Sequence, residues 1–301
     1  MVEYIVNENE NGTRLDAFVA SKDEKFSRSL VQKLIKDSKI LVDGKSAKPS
    51  EKVQAGERIC VDYREEPNDS IKGEEIPIDI IYEDDDILVV NKPKNMVVHP
   101  AAGNRSGTLV NALLGRHELS SMNGDIRPGI VHRLDKNTTG VLVIAKNNFA
   151  HQKIAKQIQN RETKKEYIAL VRGLIKENEG VINMPIGRHP TDRKKMAVTR
   201  EGKEAITEFK VLKRFSEGYT LLKINLKTGR THQIRVHLSH IGYPIVGDDT
   251  YSTGKNPFGV TSQMLHAHKL SFVHPTSGEK VEFEAPIPEY FEEIVENLTE
   301  I

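Results

Sequence analysis

The sequence is short of cysteine, of long apolar runs and of metal-binding patterns, and each shortage removes a class of protein. One cysteine, Cys60, among 301 residues leaves no disulfide framework and no cysteine-rich zinc module. No stretch approaches the roughly 18 consecutive apolar residues of a membrane-spanning helix. Among 11 histidines there is no His-Glu-x-x-His pattern. His232 and His237 would separate around a helix, and His266 with His268 could share only one strand face, so a metal-dependent hydrolase is disfavoured. There is no internal repeat and no low-complexity tract. The opening residues are acidic and poor in apolar side chains, unlike a signal peptide, so a cytoplasmic, reducing location is expected.

What is present is a soluble, globular composition, with 37% hydrophobic and 29% charged residues over a length that suits about two domains. The net charge of +1 conceals strong local differences. Residues 61–86 carry 11 acids against 2 bases, whereas residues 87–275 carry 30 bases against 14 acids. A basic middle flanked by acidic segments admits a phosphate-rich partner, although lysines that only solvate a surface would look the same.

The first unit is expected from about Thr13 to Tyr63. Leu15, Phe18 and Val19 open a helical pattern. Ser27 can cap a second helix, in which Leu30, Leu34 and Ile35 form a stripe with Val31 beside it. Arg28, Lys33 and Lys36 fall off that stripe. Strands follow at 40–42, before the Asp43-Gly44 turn, and at 58–63. Residues 64–79 are acidic and proline-broken and read as a tether.

The second unit is expected to hold strands at 87–90, 141–145, 167–171, 205–212, 219–226, 265–272 and 281–283, with a further strand at 97–100. Helices are expected at 108–114, 231–241 and 288–298. Another is expected after Asn147, with Phe149, Ala150, Ile154 and Ile158 inward. Strands outnumber helices without βαβ alternation. The fold class is therefore α+β, with a large mixed, mostly antiparallel β-sheet flanked by helices. The domains are taken as 13–75 and 76–301, and a monomer is the default.

Three segments could carry chemistry. In His132-Arg133-Leu134-Asp135-Lys136-Asn137-Thr138-Thr139-Gly140, a loop feeds a buried strand, and Asp135 lies between two cations that favour a carboxylate. Turn-forming alone would also explain these residues. Lys165 to Gly173 alternates like a strand, with Tyr167 on one face, where a tyrosine can equally be core. In Thr228 to Leu238, Thr231 can cap a helix held by Ile234, Leu238 and Ile241. Arg235 at the stripe's edge could then clasp a carboxylate through two parallel hydrogen bonds. Surface solvation is the plain alternative for Arg230 and Arg235.

The first unit resembles the S-four-type RNA-binding domain, through Thr13-Arg14-Leu15-Asp16, Ser27-Arg28 and Ile40-Leu41-Val42-Asp43-Gly44. A generic helical cap on strands would share much of this order. His-Arg-Leu-Asp followed by Thr-Gly, with Gly-Arg-Thr-His-Gln-Ile-Arg-Val-His later, resembles the RNA pseudouridine synthases of the RluA/RluD family over residues 75–290. Lys92-Pro93, Val98-His99-Pro100 and the segment from Gly242 to Asp248 fit as well. Asn137 and Thr139 stand where Asp and Ser are commoner, and both changes are conservative.

The resemblance implies isomerisation of uridine in RNA to pseudouridine, with no cofactor and no metal. It assigns catalytic roles to Asp135, Tyr167 and Arg235. Asp135 would attack C1′ or remove the C2′ proton, and Arg235 would pair with it. Tyr167 would stack on the base and is a candidate to take the C5 proton. Its ordinary pKa near 10 makes it a poor base unless its surroundings lower that value. Arg133 would fill the space of the flipped base, and His132, Arg230, Arg28 and Lys33 would meet RNA. Large-subunit ribosomal RNA is the first expected partner and transfer RNA the second. The rival reading is a non-catalytic RNA-binding or ribosome-assembly protein.

Overall fold

A computed structural model describes residues 2–23, 26, 28–63, 71–100, 104–122, 127–252, 256 and 258–301. The chain divides into two compact units, Met1–Asp69 and Ser70–Ile301.

The first unit contains β1 (Val2–Ile5), α1 (Leu15–Lys22), α2 (Arg28–Lys36), β2 (Ile40–Val42), β3 (Lys45–Ser46) and β4 (Arg58–Val61). Its sheet runs β1-β4-β2-β3, antiparallel throughout. The unit begins before Thr13, because β1 pairs Val2 to Val61 and Ile5 to Arg58. The acidic composition of residues 1–10 hid a strand whose side chains are mostly exposed. Leu15, Phe18, Val19, Val31, Leu34 and Ile35 form the core with strand residues. Val31 is fully buried and Leu30 only partly, so the apolar stripe of α2 is rotated from the expected one. Arg28, Lys33 and Lys36 are exposed. Ser27, expected as the cap, lies outside the described residues, as do residues 64–70 of the expected tether.

The second unit contains β5 (Asp79–Glu83), β6 (Ile87–Lys92), α3 (Leu109–Leu114), β7 (Thr139–Ala145), α4 (Asn148–Gln159) and β8 (Lys164–Arg172). These lead to β9 (Glu179–Asn183), β10 (Ile186–Arg188), β11 (Met196–Val198), β12 (Ile206–Phe215) and β13 (Tyr219–Leu226). The last elements are α5 (Gln233–His240), β14 (Leu265–Val273), β15 (Lys280–Glu284) and α6 (Glu289–Glu296). A nine-stranded sheet runs β5-β6-β7-β14-β8-β13-β12-β9, with β15 on β14. Only the β7–β14 ladder is parallel. The sheet is thus mixed and mostly antiparallel, and β10 and β11 form a separate hairpin.

Ile87 to Val90 and Val141 to Ala145 are continuous apolar runs because these strands are buried on both faces. The tether expected at 64–79 is only partly right. Ile71, Ile76 and Ile78 pack on the core of the second unit, and Glu74 accepts from the Gly107 amide. No strand forms at 97–100, where the chain turns instead. Asn147 caps α4 through the Ala150 amide as expected, but Phe149 points outward, half exposed. The strands β5, β9, β10 and β11 were not expected. All four are edge or hairpin strands with at most one buried residue each, so the alternation that reveals a strand is weak there.

Candidate active site

The loop ahead of β7 is held from three sides. Lys92, at the end of β6, is fully buried and donates to the carbonyls of Pro93, Met96 and Lys136 at 2.7, 3.0 and 3.1 Å. Burial pulls its pKa down to about 7, opposed by the charge of Asp135. The Thr138 amide donates to the Asp135 carbonyl, and Gln263 donates to the Thr138 hydroxyl at 3.0 Å. Thr139 pairs with His266 at 2.8 Å. Gly140 has a φ of +113°, and a Cβ there would lie 2.1 Å from the Ala267 carbonyl, so only glycine lets β7 approach β14 so closely.

Asp135 therefore sits on a braced loop, with its side chain 19% exposed, in a cleft of about 460 Å³. His132, Arg133, Lys165, Tyr167, Arg230 and Arg235 share the walls of that cleft. Arg235 comes from α5 and donates through Nη1 to Asp135 Oδ2 at 3.0 Å. The two parallel hydrogen bonds expected of Arg235 go elsewhere. Its Nε and Nη2 donate to the two oxygens of Asp248 at 2.7 and 2.9 Å. Asp248 is closed to solvent and also accepts from the amides of Thr250 and Tyr251. Arg235 lies 5.1 Å from the Tyr251 ring centre and is itself only 6% exposed. Two carboxylates together hold its guanidinium charge more firmly than usual, against the opposing effect of burial.

The helix that carries Arg235 starts differently from expectation. Thr231 is exposed and does not cap it; His232 occupies the cap position with a left-handed φ of +56°. Gln233 supplies the bracing, accepting from Thr228 Oγ1 and the Arg230 amide and donating to Ile206 O and Thr207 Oγ1. Residues 233–238 are all buried, so α5 is enclosed rather than amphipathic. A buried helix lets an arginine at its start be aimed by packing.

His232 Nδ1 meets Tyr251 Oη at 2.8 Å, and its Nε2 faces Asp135 at 3.9 Å. Burial is the main reason its pKa lies below the usual value. His132 is no phosphate-binding cation. Its Nε2 accepts from the Val143 amide at 3.1 Å, and burial brings its pKa down to about 3. Tyr167 lines the cleft and is 7% exposed. Burial first, and then the charge of Asp135, push its phenol well above 10. The condition for Tyr167 to act as a base is therefore not met; the side chain offers an aromatic face and an O–H. Arg133 is exposed at the rim. Arg230 is tied by Nε to the Glu204 carbonyl at 2.9 Å. Arg28 and Lys33, in the other unit, lie on the exposed side of α2.

The cleft thus pairs an accessible carboxylate with a fixed arginine, beside an aromatic side chain and an exposed arginine. Residues 86–240 match the family model described as RNA pseudouridylate synthase. The chain belongs to the RNA pseudouridine synthases. Residues 13–59 match the S4 domain model, so this synthase carries that domain ahead of its catalytic one. It is 46% identical over 298 residues to the uncharacterized RNA pseudouridine synthase YlyB of Bacillus subtilis (strain 168), covering 99% of this chain and 98% of that protein. It is 42% identical over 304 residues to ribosomal large subunit pseudouridine synthase D of Escherichia coli (strain K12), covering 97% and 92%. Among solved structures, human RNA pseudouridylate synthase domain containing 1 superposes with a TM-score of 0.61 at 30% identity, over 76% of this chain and 91% of that one.

The synthase is an isomerase acting on RNA. Among its described residues no helix is long and apolar enough to cross a membrane. Asp248 closes the segment from Gly242 but nothing in the sequence marks it as the partner of Arg235, and Tyr251 belongs to no motif. The local signal was Gly247, where a φ of +75° and an approach of 2.3 Å to the Ser262 carbonyl admit only glycine.

Proposed function

We propose that this synthase isomerises uridines of large-subunit ribosomal RNA in the cytoplasm, with Asp135 as the group that acts on the sugar. The observation that carries the reading is the contact of 3.0 Å between Asp135 and Arg235, whose other nitrogens are engaged by Asp248. A carboxylate held this way can bond to C1′ as the glycosidic bond breaks, or can take the C2′ proton; both routes need positive character at the sugar to be stabilised. Arg235 orients Asp135 in either route. The isomerisation exchanges a carbon–nitrogen bond for a carbon–carbon bond with no redox change, so the reading includes no cofactor.

The target base must leave its stack to reach the cleft. Tyr167 supplies the face against which it rests, and Arg133 takes the vacated space. The exposed bases of α2, Arg28 and Lys33, meet RNA backbone, and the β10–β11 hairpin with Arg188, Arg193 and Lys194 adds phosphate contacts. The choice of ribosomal RNA rests on what the Escherichia coli relative is called.

The test uses ribosomal RNA from cells lacking the protein, tritiated at uridine C5, with neither metal nor nucleotide added. Wild-type protein should release tritium to water, and Asp135→Asn should bind the RNA and release none. Full activity of Asp135→Asn would remove the assignment. Release only from transfer RNA would move the substrate. Binding should also weaken steeply with salt.

A further inference from the structure

The cleft holds one cation on the same strand as Tyr167. Lys165 lies on β8 two residues before Tyr167, so both side chains emerge on the same face of the strand, roughly 6.6 Å apart along it. Both line the cleft with Asp135. Glu166, between them, emerges on the opposite face, where it pairs with Lys223 at 3.5 Å. Among the described residues no carboxylate pairs with Lys165. Its cleft neighbour His132 is a neutral ring turned to a backbone amide. A half-buried ammonium without a counter-charge is costly to keep, so a structural role is a poor explanation for it. The other cleft cations differ. Arg235 is spent on two carboxylates, Arg161 is paired with Glu204 and Lys227 with Glu208, Arg230 is tied to the Glu204 carbonyl, and Arg133 is exposed. Lys165 is the one beside the ring on which the base would rest.

A base stacked on Tyr167 turns an edge toward Lys165, and the edges of uracil that accept hydrogen bonds are its carbonyls. When N1–C1′ breaks, the electron pair of that bond leaves with the uracil, and its charge spreads from N1 onto those oxygens. C1′ bonds to Asp135, or C2′ gives a proton to it. On re-addition through C5 the pair forms the C5–C1′ bond as the C1′–Asp135 bond breaks or as Asp135 returns its proton to C2′; the C5 proton is released to water and N1 takes up a proton.

We propose that Lys165 is a further catalytic residue of this synthase, donating a hydrogen bond to a carbonyl oxygen of the target uracil and stabilising the charge that the base carries while detached. This rests on the reading of the cleft given under Proposed function. Lys165 itself neither gains nor loses a proton. A fixed cation that meets charge formed only during bond breaking acts on the rate more than on affinity.

The experiment measures single-turnover tritium release at saturating RNA for wild type, Lys165→Met and Lys165→Arg, with RNA affinity measured separately. Lys165→Met should lose about 10²- to 10³-fold in rate, the cost of removing one such donor. Its RNA Kd should stay within about threefold of wild type. Lys165→Arg should recover part of the rate. The pH profile gives a second readout that does not need the methionine variant to fold. Burial lowers the pKa of Lys165 to about 8, so the wild-type rate should fall above that pH, whereas Lys165→Arg should hold its rate. His132 and His232 are pushed toward neutrality and Tyr167 toward its protonated form, and the cleft arginines keep their charge. Titration of the RNA is common to both proteins.

A methionine variant with normal rate and weakened RNA affinity would make Lys165 a phosphate contact and overturn the proposal. So would a variant unchanged in both, or an arginine variant with the wild-type alkaline fall. Absence of release by wild type itself would strike the underlying reading instead.

Discussion

Two arginine–aspartate pairs, one in each unit, share a geometry and differ in use. In the first unit Arg14 donates through Nε and Nη2 to the two oxygens of Asp16 at 3.0 and 2.8 Å. In the second, Arg235 makes the same fork to Asp248. Asp16 and Asp248 are both closed to solvent, but the Arg14 side chain is 54% exposed and that of Arg235 only 6%. Asp16 also accepts from Gln32 on α2, so its cluster ties the two helices of the small unit together. Arg235 instead has one nitrogen left over inside the cleft, and it meets Asp135. A bidentate pair at a surface is thus a structural tie. The same pair, buried and with one donor to spare, becomes a support for a second carboxylate.

Substitutions can break this comparison. Asp248→Asn should have the largest effect, because it unbalances a buried cluster and lets Arg235 shift. A loss of about 10²-fold in tritium release is expected from misplacement of Asp135, with RNA affinity retained. Thermal unfolding should show destabilisation of about 3 kcal/mol. Undiminished turnover would mean that Asp135 needs no such support.

Asp16→Ala should cost about 2 kcal/mol of stability in the first unit, for the charge-assisted hydrogen bonds lost, and leave turnover at saturating RNA intact. The Asp16 carboxyl is lowered to about 2, chiefly by its hydrogen bond with Arg14, from an ordinary value of 3.8. Its contribution is therefore complete above about pH 4 and is lost as the pH falls toward 2. Acid unfolding of wild type and Asp16→Ala should converge over that window, and parallel curves would refute the role given to the pair.

Arg133→Ala should be milder. It removes one exposed cation and should reduce the slope of log affinity against log salt by about one, with affinity weakened by several-fold at most. Tyr167→Phe should have the smallest effect on the quantity measured, the shape of the pH–rate profile between pH 6 and 9. The phenol is held protonated throughout that range, so its removal should add or delete no titration. Loss of a limb with this variant would show that Tyr167 ionises during turnover.

Most of the large unit was legible in the sequence. The runs in β6, β7, β8, β13 and β14 are apolar for long enough that only burial explains them, and the Asn147 cap of α4 is a local signal. The edge strands β5 and β9 and the short β10–β11 hairpin were not legible, because their faces are largely solvated. In the cleft, the residue types at 133, 135, 167 and 235 stood out. The resemblance paired Arg235 with Asp135, but the fork to Asp248 was not legible, since nothing local marks Asp248 as its partner. The charge states of His132 and Tyr167 were also hidden, because burial sets them and burial belongs to the whole fold.

By itself the sequence determined the family, the two-unit order and the loop that bears Asp135, since each is written in short-range patterns of apolarity, glycine and charge. The meeting of Asp135 and Arg235, 100 residues apart, was implied by the family resemblance alone, and it is the tertiary structure that brings it about. It alone clamped that arginine with Asp248 and left Lys165 in the cleft with no carboxylate partner among the described residues. Hydrogen bonds between distant segments and the desolvation of individual groups depend on packing that no local pattern specifies.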